Sequence, residues 1–184
     1  MDAPQWFLDA LAMRPEHVDT EVDGVRIHYR QWGSPSRPGL VLVHGGAAHS
    51  GWWDHIAPLL AGEYCVTALD LSGHGESDRR ASYDMEAWAR EVIAVAGHAC
   101  LPAPPIVVAH SMGGWVGLTV AADHVDELAG LILLDSMVQR TDPEVEAARV
   151  GVAFGPLRTY ASLDAALARF RTVPDQPTTL PYVK

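Results

Sequence analysis

The sequence predicts an α/β fold: a mostly parallel sheet with an antiparallel hairpin at one edge and helices on both faces. Three observations predict it. Four short runs, residues 40–43, 64–69, 106–109 and 131–134, are apolar almost throughout, and helical stretches separate them. Strands covered on both faces of a parallel sheet need that composition. An Asp23-Gly24 pair divides two extended segments, 18–22 and 25–32, and both positions of such a turn accept positive φ. Glycines and polar residues gather just after the apolar runs, where an open parallel sheet binds its ligands.

Taken in order, Trp6, Phe7, Leu8 and Leu11 have the spacing of a brief amphipathic helix. The hairpin follows, then a loop over 33–39 marked by Pro35 and Pro38. Helices are expected over 53–60, 85–99 and 111–124, one after each of the first three apolar runs. The rhythm breaks after Asp135. Asp142-Pro143 reads as a helix start, with Asp as cap and Pro at the first helical position. A second helix is expected over 162–171, with Leu163, Ala166, Leu167 and Phe170 on one stripe. The tail, 173–184, holds Pro174, Pro177 and Pro181 and reads as irregular. The domain reading is a core over 1–141 and a further helical segment over 142–184.

Composition narrows the function. The 184 residues carry 13 Lys+Arg against 23 Asp+Glu, a formal net charge of −10. No basic cluster is present to hold a phosphate backbone, so nucleic acid is excluded as a partner. Hydrophobic residues at 48% and charged ones at 20% are globular values, and a chain of this length buries roughly 70% of its unfolded surface. No run of ~18 apolar residues spans a membrane. The first residues carry Asp2 and Asp9 and read as no signal peptide. Cys65 and Cys100 are too few for a disulfide scaffold, so a reducing cytoplasm is the expected location.

The chemistry is sought where the strands end. His44-Gly45-Gly46 follows the first parallel strand and Asp70-Leu71-Ser72-Gly73-His74-Gly75-Glu76-Ser77 the second. His110-Ser111-Met112-Gly113-Gly114 follows the third, and Asp135-Ser136 the fourth. Ser111 falls where a strand turns sharply into a helix, a tight junction that needs the small residues Ala109 and Gly113 two positions to either side. Its bland role is that of helix cap; the small neighbours favour a nucleophile. The Met112 amide, at a helix N-terminus, suits a developing oxyanion. The glycines after His44 let a second backbone amide approach substrate. His44, Gly45, His49 and His110 are pocket residues in this reading, with His44 in a structural role and His74 shaping its loop. Trp52 and Trp53 back the pocket or belong to the core. Asp135 reads as bonding loop amides beside Ser136. No cluster has metal-ligand spacing and no loop has phosphate or dinucleotide spacing, so neither metal nor organic cofactor is expected.

These motifs, in this order, resemble the α/β-hydrolase fold family over residues 18–136. Four ordered motifs together are specific where each alone is not. The resemblance implies Ser111 as catalytic nucleophile, with Gly46 and Met112 giving the oxyanion-hole amides. A serine at this position sets the chain apart from members that use Asp. Ala109 departs from the usual Gly-x-Ser-x-Gly. The segment from Asp142 onward resembles the start of the family's helical cap. The implied activity is a serine hydrolase acting on a small-molecule ester, with an amide or carbon–carbon bond as alternatives. A non-catalytic binder of a ligand or partner on the same fold is the rival. Nothing after Ser136 resembles the two further strands that normally carry the acid and the catalytic His.

Residues 1–184 alone are therefore expected to be inactive. His124 is the only histidine after Ser111, and 13 residues of helix put it roughly 20 Å away. His110 is directed away from the serine, as neighbours in extended chain are, which leaves His49 as the one understudy. The run 131–134 is expected to be an apolar edge that self-associates.

Overall fold

The computed structural model describes residues 3–99, 103–138 and 159–169. Residues Pro4–Val138 form one compact unit, and Met1–Ala3 with Gln139–Lys184 form another. The first begins with a helix, α1 (Gln5–Ala12), and a hairpin, β1 (Glu16–Val22) and β2 (Val25–Trp32). The turn is the expected one: Asp23 has φ +52° and Gly24 φ +75°. Then come β3 (Gly39–Val43), a 3-10 turn (Ser50–Trp53), α2 (Ala57–Leu60) and β4 (Cys65–Leu69). The unit continues with α3 (Met85–His98), β5 (Ile106–His110), α4 (Met112–Asp123), a second 3-10 turn (Val125–Glu127) and β6 (Gly130–Leu134).

The six strands lie in the order β1-β2-β4-β3-β5-β6. β1, β2 and β4 pair antiparallel, and β4, β3, β5 and β6 run parallel. Strand alternation splits the apolar residues between two faces. Val41, Val43, Leu69, Val107 and Ala109 join α3 and α4 on one side. Leu40, Leu42, Val66 and Ala68 join Trp53 and Ala57 on the other. Asp84 starts α3 by accepting the Ala87 N–H at 2.7 Å, and Trp88, Val92 and Val95 form its buried stripe. The face of α4 that meets the sheet is small: a Cβ at Gly117 would stand 2.8 Å from Leu131 Cδ1 and 3.1 Å from Ala109 Cβ. That lack of side chain lets α4 lie against β5 and β6.

Two expectations are corrected. The helix over 53–60 is a 3-10 turn followed by the single turn of α2. Pro58 lacks an N–H and its ring clashes with the carbonyl four residues back, so no continuous helix passes through it. α1 forms, but Trp6, Leu8 and Leu11 are exposed and Ala10 is the residue it buries. Its contact with the body is made by Phe7, whose ring meets that of His55, while Met13 O accepts the Trp32 indole N–H at 3.0 Å.

Among the described residues β6 is the far edge of the sheet, and Ile132 and Leu134 are 48% and 39% exposed there. No described helix is long and apolar enough to cross a membrane. In the second unit α5 (Leu163–Leu167) is capped by Ser162, which accepts the Ala165 N–H at 3.2 Å. Phe170 and Arg171 of the expected helix lie outside the described residues, as do Asp142-Pro143, Cys100 and the tail.

Candidate active site

Ser111 joins β5 to α4 with φ +52° and ψ −117°, a conformation that costs a non-glycine residue about 1–3 kcal/mol. It stands at the N-cap position of α4. At the equivalent positions of α3 and α5, Asp84 and Ser162 each bind an amide of the following turn. The Ser111 hydroxyl makes no such bond. It is half-buried and turned away from the capping role that most serines at such a junction perform.

The strained backbone is held from several directions. Ser111 N–H donates to Leu134 O at 3.0 Å, and its carbonyl accepts from Gly114 N–H at 2.9 Å. The Ser136 hydroxyl also donates to that carbonyl, at 3.1 Å. Gly113 brings α4 against the end of β3, so closely that a Cβ there would collide with His44 O and stand 3.0 Å from Val43 O. The following loop presses on the serine: a Cβ at Gly45 would lie 3.2 Å from Ser111 Cβ and 2.8 Å from His110 Nδ1. His44, Gly45, His110 and Ser111 are thus brought together. Gly46 continues the same loop, half-buried, before Ala47 at φ +57°. The first amides of a helix have no intrahelical partner, and Met112 N–H is one of these at α4.

His44 is fully buried. Its Nδ1–H donates to Gly45 O at 2.7 Å, and its Nε2 accepts Leu71 N–H at 3.1 Å. Burial lowers its pKa from 6.5 to about 4. It is a neutral clamp between two loops. His49 accepts the Gly51 N–H at 3.2 Å and so caps the 3-10 turn. His110 stacks against Trp52, centroids 6.1 Å apart and planes at 14°, and its Nδ1 is buried with no partner among the described residues. His124 lies just past α4 and pairs with Glu127 at 2.9 Å. No histidine is hydrogen-bonded to the Ser111 hydroxyl among the described residues.

The loop after β4 is built around Asp70. This buried carboxylate accepts the amides of Ser50 and of Glu76, the latter at 2.9 Å, and Ser77 Oγ donates to Asp70 O at 2.6 Å. The carboxylate fills the space that a Cβ at Gly75 (φ +50°) would occupy. Glu91 of α3, also buried, accepts Ser72 N–H at 2.8 Å and pairs with Arg80 Nε at 2.7 Å.

Of the two tryptophans expected to back the pocket or belong to the core, Trp52 is half-exposed over His110 and Trp53 is buried. The ties made by the loop after β6 escaped the sequence reading. Ser136 ties β6 to the elbow, and Asp135, expected to bond loop amides, makes no hydrogen bond among the described residues but holds φ +48°. The Ser136–Ser111 link spans 25 residues, and the small residue Gly114 opposite it was the one signal available.

The pattern of the alpha/beta hydrolase fold family matches residues 38–175. The chain is 34% identical over 161 residues to protein phosphatase methylesterase 1 of Mus musculus, covering 83% of this chain and 41% of that protein. It is 33% identical over 137 residues to a monoacylglycerol lipase of Mycolicibacterium smegmatis, covering 70% of this chain and 49% of that one. The chain thus spans less than half the length of these curated relatives. Among solved structures, the thioesterase domain from the curacin biosynthetic pathway superposes with a TM-score of 0.69 at 27% identity, over 84% of this chain and 60% of that one. With strand order, elbow and family pattern in agreement, the chain belongs to the alpha/beta hydrolase fold family.

Proposed function

We propose that these residues are part of a serine hydrolase that cleaves a small-molecule carboxylic ester, with Ser111 as nucleophile. The observation that carries the reading is the elbow itself. Ser111 is held at φ +52° by backbone bonds from three partners, yet its hydroxyl makes no cap bond. Strain maintained at a nucleophilic side chain that does no structural work is what a reactive centre requires.

The hydroxyl oxygen attacks the ester carbonyl, and the oxyanion that develops is met by the amides of Met112 and Gly46. The Met112 amide has the partial positive charge of the α4 N-terminus behind it. A neutral imidazole accepts the hydroxyl proton and later returns it to the leaving alcohol. All nine histidines fall within the described residues, and none is hydrogen-bonded to the Ser111 hydroxyl there. His44 is committed on both ring nitrogens. In this reading the base is a histidine held by an orienting acid, a pair that the described residues do not place beside Ser111. The names of the relatives, a methylesterase, a monoacylglycerol lipase and a thioesterase, support cleavage of an acyl bond. The exposed Ile132 and Leu134 of β6 favour self-association of residues 1–184 taken alone.

The test compares short-chain nitrophenyl ester hydrolysis by residues 1–184, by the complete gene product and by its Ser111→Ala variant. The complete product should lose about 10³-fold or more with the substitution, and residues 1–184 should show no serine-dependent turnover. Near-normal activity of the Ala variant would overturn the assignment. Serine-dependent turnover by residues 1–184 would place the base at His49.

A further inference from the structure

In the hairpin, strand register and the loop after β4 gather ligands that share no spacing motif in the sequence. In β1 and β2, His17 faces Arg30 and Asp19 faces His28, so the two histidines are diagonal neighbours on one face of the ribbon. His17 Nδ1 lies 3.1 Å from His28 Nε2, and the rings stack with centroids 5.2 Å apart. Glu76, from the loop after β4, brings Oε1 to 3.9 Å from the same His28 nitrogen. The three ligand atoms lie within 4.8 Å of one another. We propose that His17, His28 and Glu76 bind one divalent transition-metal ion of the zinc type, with Asp19 orienting the His28 ring.

The geometry suits a metal held by nitrogen. An ion about 2.1 Å from each imidazole puts neighbouring ligands roughly 3.0–3.4 Å apart, in octahedral or tetrahedral arrangement, and the two nitrogens already stand 3.1 Å apart. The His28 ring is prepared for ligation. Its Nδ1–H donates to Asp19 Oδ1 at 3.0 Å, which leaves the lone pair on Nε2, on the side of His17 and Glu76. A metal-bound histidine with its other nitrogen on a carboxylate is the usual supported arrangement. His28 is 4% exposed, whereas His17 and Glu76 are exposed and free to adjust around an ion.

The neighbouring charges favour a cation as well. Asp19, Asp54, Glu76 and Asp78 outnumber Arg26 and Arg30. Arg30 is engaged by both oxygens of Asp54, at 2.8 and 2.7 Å, and meets Glu76 only at 3.8 Å. Arg26 is engaged by Asp19, Asp78 and the Glu76 carbonyl. An ion here joins β1, β2 and the loop that Asp70 organises, and the open coordination positions are filled by water.

The experiment is a calorimetric titration of residues 1–184 with Zn²⁺, checked by competition with a chromophoric chelator. Wild-type protein is expected to take up one ion per chain with micromolar affinity. His17→Ala and Glu76→Gln, both at exposed positions, should each weaken binding about 10-fold or more. Asp19→Asn, which removes no ligand, should weaken it about 10–100-fold, and His124→Ala should leave it unchanged. Absence of a one-to-one site in the wild type would overturn the proposal. So would binding of unchanged affinity in both His17→Ala and Glu76→Gln, with folding of each verified by circular dichroism.

Discussion

Acidification destabilises this fold through His44. The ring is fully buried, with Nδ1–H spent on Gly45 O and Nε2 accepting from Leu71 N–H. A proton on Nε2 would set one donor against another where no water can intervene, and burial accordingly holds the pKa at about 4 instead of 6.5. The unfolded chain takes up its proton near pH 6.5, and the native one only near pH 4. The stability is therefore fully present above pH 6.5 and is lost as pH falls from there to 4. A gap of about 2.5 units, at ~1.36 kcal/mol per unit, amounts to about 3 kcal/mol in all and about 2 kcal/mol by pH 5. Proton NMR of the histidine ring signals measures the effect directly, and the His44 resonance should titrate with a midpoint near 4. Urea unfolding at pH 7 and pH 5 gives the energetic counterpart. His44→Gln keeps an acceptor for the Leu71 amide but does not titrate, so its loss on acidification should be smaller than the wild type's by about 2 kcal/mol. A midpoint near 6.5, or equal losses in the two proteins, would refute the reasoning.

Glu91→Ala takes from Arg80 its only carboxylate among the described residues and from Ser72 N–H its acceptor; chemical denaturation should show a loss of about 3–5 kcal/mol. Gly113→Ala forces a Cβ against the His44 carbonyl, where only backbone could give way, and should lower stability by about 3 kcal/mol or prevent folding. Asp84→Ala, by contrast, removes only the cap of α3 and should cost about 1 kcal/mol in the same assay. Equal effects of Glu91→Ala and Asp84→Ala would show that the buried Arg80–Glu91 pair contributes no more than an exposed helix cap.

The sheet was legible because its signals are local. Asp23-Gly24 specifies a turn with two positive φ angles, and the observed hairpin has both. The four apolar runs became β3 to β6 with ends displaced by at most one residue. The failures have physical causes. Pro58 overrode an apolar stretch that otherwise resembled a helix. At α1 the apolar spacing was right, but the residues beside it leave Trp6, Leu8 and Leu11 uncovered. At the site, the small residues around Ser111 pointed to the tight junction. Those neighbours already favoured nucleophile over cap; the backbone angle and the missing cap bond, which support the same reading, are not written in residue types. The partners that fix the site are distant in sequence: Asp70 reaches back 20 residues to Ser50, and His28 reaches 49 residues to Ser77. The same holds for His17, His28 and Glu76, which share no spacing motif and meet only through strand register.

The central claim is that Ser111 is a nucleophile, and covalent trapping tests it most directly. The complete gene product, treated with a fluorophosphonate and digested, should carry a single adduct on the peptide containing Ser111, and Ser111→Ala should carry none. An adduct confined to another residue, or no adduct on a protein that hydrolyses esters, would contradict the account.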